Sequence, residues 1–441
     1  MTATLPDAAG PGGDVVAAGP CGDVVAAGIG GTVSRLLDVR PADPGRFAAL
    51  CGLALRDNPR RAHLVVSRVL GKHVPVPPAD VLAAADALGD EVAALLGGRT
   101  PGLVVGYCET ATGLGHAVAA RLGAPALSTT RRVHPGVPVA AAFEEEHSHA
   151  VAHALQPAGA VSLDAPGPLV LVDDELTSGR TVLNTVAELQ ARWPRERYVV
   201  ATLLDARPPA ARAAFADRAA ELGVRVDVAA VLGTSLDLPD DVLSRAAAAR
   251  AALPAPAPPP SGAPGGVRVH AGLWPAGAPT TARHGLTAAG TAALQRAAAE
   301  AAAALAPALA GSRGVLVLGT EELMYAPTVL AAALAGRLAG VPVTAQSTTR
   351  SPVHAADDPG YALRRSLAFP APDEPSRTSL VHNLADPAAV PPGRWSDLRA
   401  DDVVVVVDAP AADAAPLAEA LRPFAARAVH LVPVPLSEPA P

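Results

Sequence analysis

Aromatic residues make up only 3% of this chain, and a single lysine, Lys72, stands among 35 basic residues. With so few aromatics the core must be built from Ala, Val and Leu, which suits stacked α/β layers better than an aromatic-rich β-sandwich. The three cysteines, Cys21, Cys51 and Cys108, show no paired or CxxC spacing. That argues against a disulfide framework or a zinc site and leads to the expectation of a reducing, cytoplasmic setting. No uninterrupted apolar run reaches about 18 residues, so no membrane partner is expected. The first ten residues carry an acid and no Lys or Arg, the wrong pattern for a secretory signal. With 42 acidic residues, a net charge of -7 and no evident basic face, nucleic acid is not an expected partner either. The scarcity of lysine has a further consequence. Where arginine stands at every other such position, Lys72 is either a chance survivor or a site whose compact ammonium a planar guanidinium cannot replace.

What is present falls into two parts. A length of 441 residues suffices for two or three domains. Residues 1–40 hold near-tandem copies of GDVVAAG and are expected to be a low-complexity tail. Over 41–248 the apolar runs HLVVSRVL, GLVVGYC, GAVSLD, LVLVDD, RYVVATLLD and VRVDVAAVL alternate with helical patterns. This predicts an α/β domain with a parallel sheet covered on both faces. The stretch 249–266, which contains ALPAPAPPPSGAPGG, cannot pack as helix or strand and marks a linker. A second α/β unit is expected over 267–441.

The chemistry concentrates in LVLVDDELTSGRT, residues 169–181. A strand ending in Asp173 and Asp174, followed by a hydroxyl-rich turn and a helix, places that turn at the carboxyl edge of the sheet, where such folds bind ligands. Backbone N–H groups at the helix start, with Thr177, Ser178 and Thr181, favour a phosphate, and Gly179 lets the backbone approach it. The two acids would repel that phosphate and instead suit vicinal sugar hydroxyls, since carboxylates only accept hydrogen bonds. A phosphate at one end and hydroxyls at the other describe a ribose 5-phosphate.

The stretch resembles the phosphoribosyl-diphosphate signature of type I phosphoribosyltransferases. The resemblance implies Asp173 and Asp174 on the ribose, Thr177 to Thr181 around the 5-phosphate, and Arg180 at a variable position adding charge. It also implies a diphosphate loop, for which Glu109, Thr110, Ala111, Thr112 and Gly113 stand in place; an ordinary strand-to-helix turn is the competing reading. That loop has no cation of its own. Between the two lies STTRRVHPGVPVAAAFEEEHSHAVAHAL, where the family carries a hood. There Arg131 and Arg132, with Lys72, are the candidates to neutralise the leaving diphosphate. Glu144, Glu145, Glu146, His147, His149 and His153 form a dense ionisable cluster, which also fits a solvated helix start.

STTR, FEEEHSHA and RVLGKHVPVPP further resemble the orotate-phosphoribosyltransferase-like branch associated with tellurium-resistance gene clusters, whose C-terminal domain is known for Thr-Arg-Ser-Pro. Here that tetrapeptide is Thr349, Arg350, Ser351 and Pro352. STTR occurs at 128–131 and again at 347–350, GYCET is answered by GTEEL, HAL by HNL, and LVLVDD by VVVVVDA. The ordered correspondence leads us to expect the second domain to be a degenerate copy of the first, lacking the phosphate turn. Glu321, Glu322, Tyr325 and Arg350 are then either remnants of a pocket or contacts between the halves. The implied reaction is Mg²⁺-dependent transfer of a phosphoribosyl group from phosphoribosyl diphosphate to a base-like acceptor, with the metal held mainly by substrate oxygens and only indirectly by Asp173 and Asp174. The alternative is a non-catalytic sensor of the same ligand. Small molecules are the expected partners; the residues leave open whether a homodimer forms.

Overall fold

The computed structural model describes residues 31–144, 152–384 and 399–435. Two five-stranded sheets dominate. The first contains β1 (Leu103–Gly106), β2 (Ala126–Ser128), β3 (Leu169–Leu176), β4 (Arg197–Asp205) and β5 (Arg225–Gly233), in the order β5-β4-β3-β1-β2. The second contains β6 (Gly266–Val269), β7 (Val315–Gly319), β8 (Val343–Ser347), β9 (Ala400–Val407) and β10 (Ala425–Pro433), in the order β6-β10-β9-β7-β8. All pairings within them are parallel. Such sheets are buried on both faces, and the continuous run Val403–Val407 in β9 is fully buried, as a central strand requires.

Without its edge strand, each sheet has the same order: fourth, third, first, second. Each also carries an antiparallel hairpin between its second and third strands, Ala141–Glu144 with Ala152–Leu155 and Ser366–Pro370 with Thr378–His382. Unrelated orders would have refuted a duplication; the observed orders agree with one. The halves differ at the edge, where β5 follows β4 in the chain whereas β6 precedes all the other strands of its sheet.

Helices cover the sheets where the apolar periodicity places them. Pro78–Leu95 begins with proline at its first position, which loses no hydrogen bond there, and Thr112–Leu122 stops at Gly123 in the left-handed conformation. Each half buries a core of its own on one face of its sheet, and a further core is shared between them. Val118 and Ala119 share one cluster with Leu294, Leu330 and Ala331. The helices Thr112–Leu122 and Tyr325–Ala335 come so close that a Cβ on Gly113 would lie 2.7 Å from Met324 Cβ. The His116 ring stacks on Tyr325 at 3.9 Å and bonds Thr291 through Nε2 at 3.0 Å.

Several expectations need correction. A helix, Gly31–Leu37, lies inside the stretch expected to be tail, with Val33 and Leu37 fully buried. His63–Ser67 is a strand, but it pairs antiparallel with Cys51–Arg56 and stands outside the parallel sheet. GAVSLD forms no strand. Proline and glycine flank it, and the Arg195 guanidinium, rather than a neighbouring strand, takes up the carbonyls of Leu163, Ala165 and Gly167. The linker expected over 249–266 is irregular only over 253–265, since its ends belong to the helix Val242–Ala252 and to β6, and it lies along the second half, with Ala257 N–H donating to the Arg364 carbonyl.

Candidate active site

The carboxyl ends of β3 and β1 flank the point where the first sheet's chain order reverses, the usual ligand crevice of an open α/β sheet. A cavity of about 720 Å³ opens there. β3 delivers Asp173, Asp174 and Glu175 to its wall, and residues 177–181 continue round it into the helix Arg180–Arg192. Gly179 caps that helix at φ 79°, and a Cβ there would meet Phe215 Cδ2 at 2.4 Å, so conformation and space both demand glycine. Burial, then repulsion from Asp174, pushes the Asp173 carboxyl well above the ordinary range. The same causes push Glu175 up to about 7, and its Oε2 is buried without a hydrogen-bond partner. Three crowded carboxyl groups therefore face the cavity and oppose one another's ionisation, an effect that Arg56 and Arg61 only partly offset at Glu175.

The opposite wall follows β1. Lys72 Nζ lies 2.9 Å from Glu109 Oε1 and donates to Thr110 Oγ1 at 2.7 Å. Burial alone would raise Glu109, but Lys72, aided by Thr349 and Arg350, holds it below its usual value. The loop that lacks a cation in sequence thus receives one from a distant segment. Only Cys108, Glu109 and Thr110 of this turn line the cavity. Ala111 is buried, Thr112 donates to the Glu322 carbonyl at 2.8 Å, and Gly113 packs on Met324, so these three candidates serve the contact between halves.

Arg131 lines the cavity, with Nη2 3.3 Å from His153 Nε2; His153 Nδ1 is in turn 3.5 Å from Cys108 Sγ. Burial keeps that thiol neutral, with Glu322 adding to the effect. Arg132 does not belong to this wall: its guanidinium is held by Asp408 at 2.8 Å and Asp373 at 3.1 Å in the second half. Glu322 accepts hydrogen bonds from Thr130 Oγ1 and the Arg131 N–H, while Glu321 pairs with Arg350 and Arg377. Arg350, Ser351 and Pro352 do reach the first cavity. Glu144 lies in a hairpin strand, and Glu145, Glu146, His147 and His149 lie outside the described residues.

The cover also differs from expectation. Besides Arg131 and His153 from the 128–155 interval, the turn Arg56–Arg61 of the hairpin 51–67 lines the cavity. Its signal was Asp-Asn-Pro between two apolar runs, but Gly52 and Ala54 diluted the first strand. Glu175, Cys108 and Ser351 were likewise not singled out, although each adjoins a residue that was. A second cavity, about 700 Å³, gathers Arg99, Arg192, Arg195, Arg197 and Arg225 around Trp193, a basic cluster the linear sequence did not reveal. Among the described residues no three Asp, Glu, His or Cys side chains converge as a metal site, and no helix is long and apolar enough to cross a membrane.

With this geometry in place, comparison with known proteins is decisive on the family. A phosphoribosyl transferase family profile matches residues 50–235, and the TRSP domain found C-terminal to it matches residues 280–421. The first half belongs to the phosphoribosyl transferase family, and the second is its TRSP domain. No curated protein matches the chain. Among solved structures, the adenine phosphoribosyltransferase of Giardia lamblia with 9-deazaadenine is similar at 19% identity, covering 41% of this chain and 93% of that one, with a TM-score of 0.28. The Rhodothermus marinus enzyme is 15% identical over 46% of this chain and 99% of its own, TM-score 0.28. The Trypanosoma brucei enzyme, bound to AMP, pyrophosphate and ribose 5-phosphate, is 12% identical over 42% and 77%, TM-score 0.30. At those values the similarities carry no argument about substrate.

Proposed function

We propose that the chain transfers the phosphoribosyl group of phosphoribosyl diphosphate to a nitrogen of a base-like acceptor and releases diphosphate. The observation that carries this reading is the joint lining of one cavity by the β3 acids, the 177–181 turn, the Cys108–Thr110 turn and Lys72. Its volume of about 720 Å³ lies within the range of small-molecule sites, roughly 300–1,000 Å³.

The 5-phosphate is assigned to the N–H groups and hydroxyls of residues 177–181, and the ribose hydroxyls to Asp173 and Asp174. Lys72 and Arg131 face the diphosphate, with the acceptor entering beside the Arg56–Arg61 turn. The acceptor nitrogen forms a bond to the anomeric carbon as the bond from that carbon to diphosphate breaks, and diphosphate leaves with the electron pair. The nitrogen's proton passes to Glu175, whose pKa near 7 suits a base at neutral pH. The protein contributes alignment of the reactants and stabilisation of the departing charge. Mg²⁺ fits the crowded carboxyl edge; lacking a converging set of protein ligands, it would be held mainly by substrate oxygens, with Asp173 and Asp174 in its surroundings. When bound, it supplies neutralisation of the diphosphate.

The test is diphosphate release from phosphoribosyl diphosphate and Mg²⁺ across a panel of purine and pyrimidine bases. Base-dependent release that disappears in Asp173→Asn/Asp174→Asn is the expected result. Tight binding without turnover on any base would instead assign a sensor.

A further inference from the structure

The two halves meet through contacts that occur in pairs. Thr129 and Thr348 each accept, through Oγ1, a backbone N–H from the other turn of their own half, Cys108 at 2.8 Å and Glu321 at 3.0 Å. The next links cross between halves. The Arg131 N–H donates to Glu322 of the TRSP domain at 2.8 Å, and the Arg350 N–H donates to Glu109 of the first half at 3.2 Å. Lys72 pairs with Glu109, and Arg283 with Glu322. The segments bearing these cations are exchanged: Val76 bridges to Ala345 in β8, and Leu286 bridges to Ala126 in β2. The close approach behind each turn is shared as well. A Cβ on Gly106 would meet the Ala111 carbonyl oxygen at 2.5 Å, and one on Gly319 would meet the Leu323 carbonyl oxygen at 2.1 Å. The correspondence therefore extends from strand order to single hydrogen bonds.

It equates Asp408 with Asp174, because Gly106 pairs with Val172 as Gly319 pairs with Val406, and it equates the residue after each STTR, Arg132 and Ser351, with one another. Each of these two residues faces the other half. Arg132 reaches across to Asp408, where Arg283 also binds at 3.1 Å and Thr320 at 3.3 Å. Burial would raise Asp408, but Arg132 and Arg283 hold it below its ordinary value. Ser351 instead lines the cavity that contains Asp174, and leaves that acid without a cation of this kind.

We infer that the TRSP domain is an inactive phosphoribosyl-binding half whose acid is locked by Arg132, and that Ser351 is the positioning residue that keeps the first site open for its ligand. This rests on the proposed function for the identity of that ligand. An arginine at 351 would meet Asp174 as Arg132 meets Asp408, and would close the site from the TRSP side.

The test uses the full chain, with phosphoribosyl diphosphate and Mg²⁺ as the probe in calorimetry. The wild type should bind one equivalent per chain, Ser351→Arg at least about 100-fold more weakly, and Ser351→Ala within a few-fold of wild type. Wild-type affinity in Ser351→Arg, or two equivalents per wild-type chain, would overturn the inference. A ligand-free arm separates it from the functional reading. Ser351→Arg should raise the thermal midpoint at pH 7.5, and Ser351→Arg/Asp174→Asn should lose that gain. If the wild type does not bind phosphoribosyl diphosphate but this shift appears, the functional reading fails and the paired geometry stands. A Ser351→Arg midpoint that does not respond to Asp174 refutes the geometry.

Discussion

The acids ending β3 and β9 occupy equivalent places in two sheets of the same strand order, yet their surroundings are opposite. Asp174 sits between two further carboxyl groups, Asp173 and Glu175, facing a cavity, and its charge helps to push both of them above their ordinary range. Asp408 is 3% exposed and is clasped by two guanidiniums. The first arrangement leaves a demand for donors and cations that a ligand can meet, whereas the second meets that demand internally. A scaffold made for binding becomes a scaffold for support when its charges are paired from within.

The comparison is broken most severely by removing the acids. Asp173→Asn/Asp174→Asn should lower kcat/KM for phosphoribosyl diphosphate by about 10²–10³ or more, while relief of repulsion leaves thermal stability equal to or above that of the wild type. Asp408→Asn should do the reverse to stability, costing up to about 3–5 kcal/mol because Arg132 is left with Asp373 alone and Arg283 with Glu322 alone. Paired thermal melts and steady-state assays read both. A loss of stability in the first variant comparable to that in the second would show that the two acids play the same structural part.

Glu175 sharpens the contrast through pH. Its ionised form takes the proton in the proposed reaction, so kcat/KM should rise with pH through about 7, and Glu175→Gln should flatten that limb and lower the rate by about 10²-fold. Stability should move the other way. A carboxyl whose pKa is raised in the folded state stabilises below its unfolded pKa, and the contribution is lost as pH rises through the folded value. The ligand-free wild type should therefore melt higher at pH 6 than at pH 8, with a smaller difference in Glu175→Gln. Glu109 and Asp408 have lowered pKa values, so their contributions persist across that window and vanish only on further acidification. An identical pH slope in the variant would remove Glu175 from the account.

The sequence revealed the fold class and the phosphate turn because both are local. Apolar strand runs, helix periodicity and thirteen consecutive residues around Asp173 carry their meaning without tertiary context. The repeated STTR and the paired strand runs also made the common strand order of the two halves legible. What stayed hidden depends on distant segments meeting. Nothing near Lys72 marks its approach to Glu109, and Arg131 and Arg132, adjacent in sequence, go to different sites because one faces its own half and the other crosses to the TRSP domain. The Arg56–Arg61 wall was missed for a related reason: its hairpin lies outside the main sheet, and a Gly- and Ala-diluted strand gives a weak alternation signal.

The smallest effect tests how tightly the halves are joined. Gly113 stands where Thr112–Leu122 crosses Tyr325–Ala335, with a would-be Cβ 2.7 Å from Met324 Cβ. Gly113→Ala improves local helix propensity by about 1 kcal/mol, but overpacking a close crossing costs about 1–3 kcal/mol. The net expectation is a modest loss of stability in a single cooperative transition, since the shared core ties both halves into one unit. A variant with two separated transitions would mean that the halves fold independently and that the contacts between them are secondary. Lowered affinity for phosphoribosyl diphosphate alongside the modest destabilisation would show instead that the crossing sets the distance over which Ser351 and Glu109 meet the ligand.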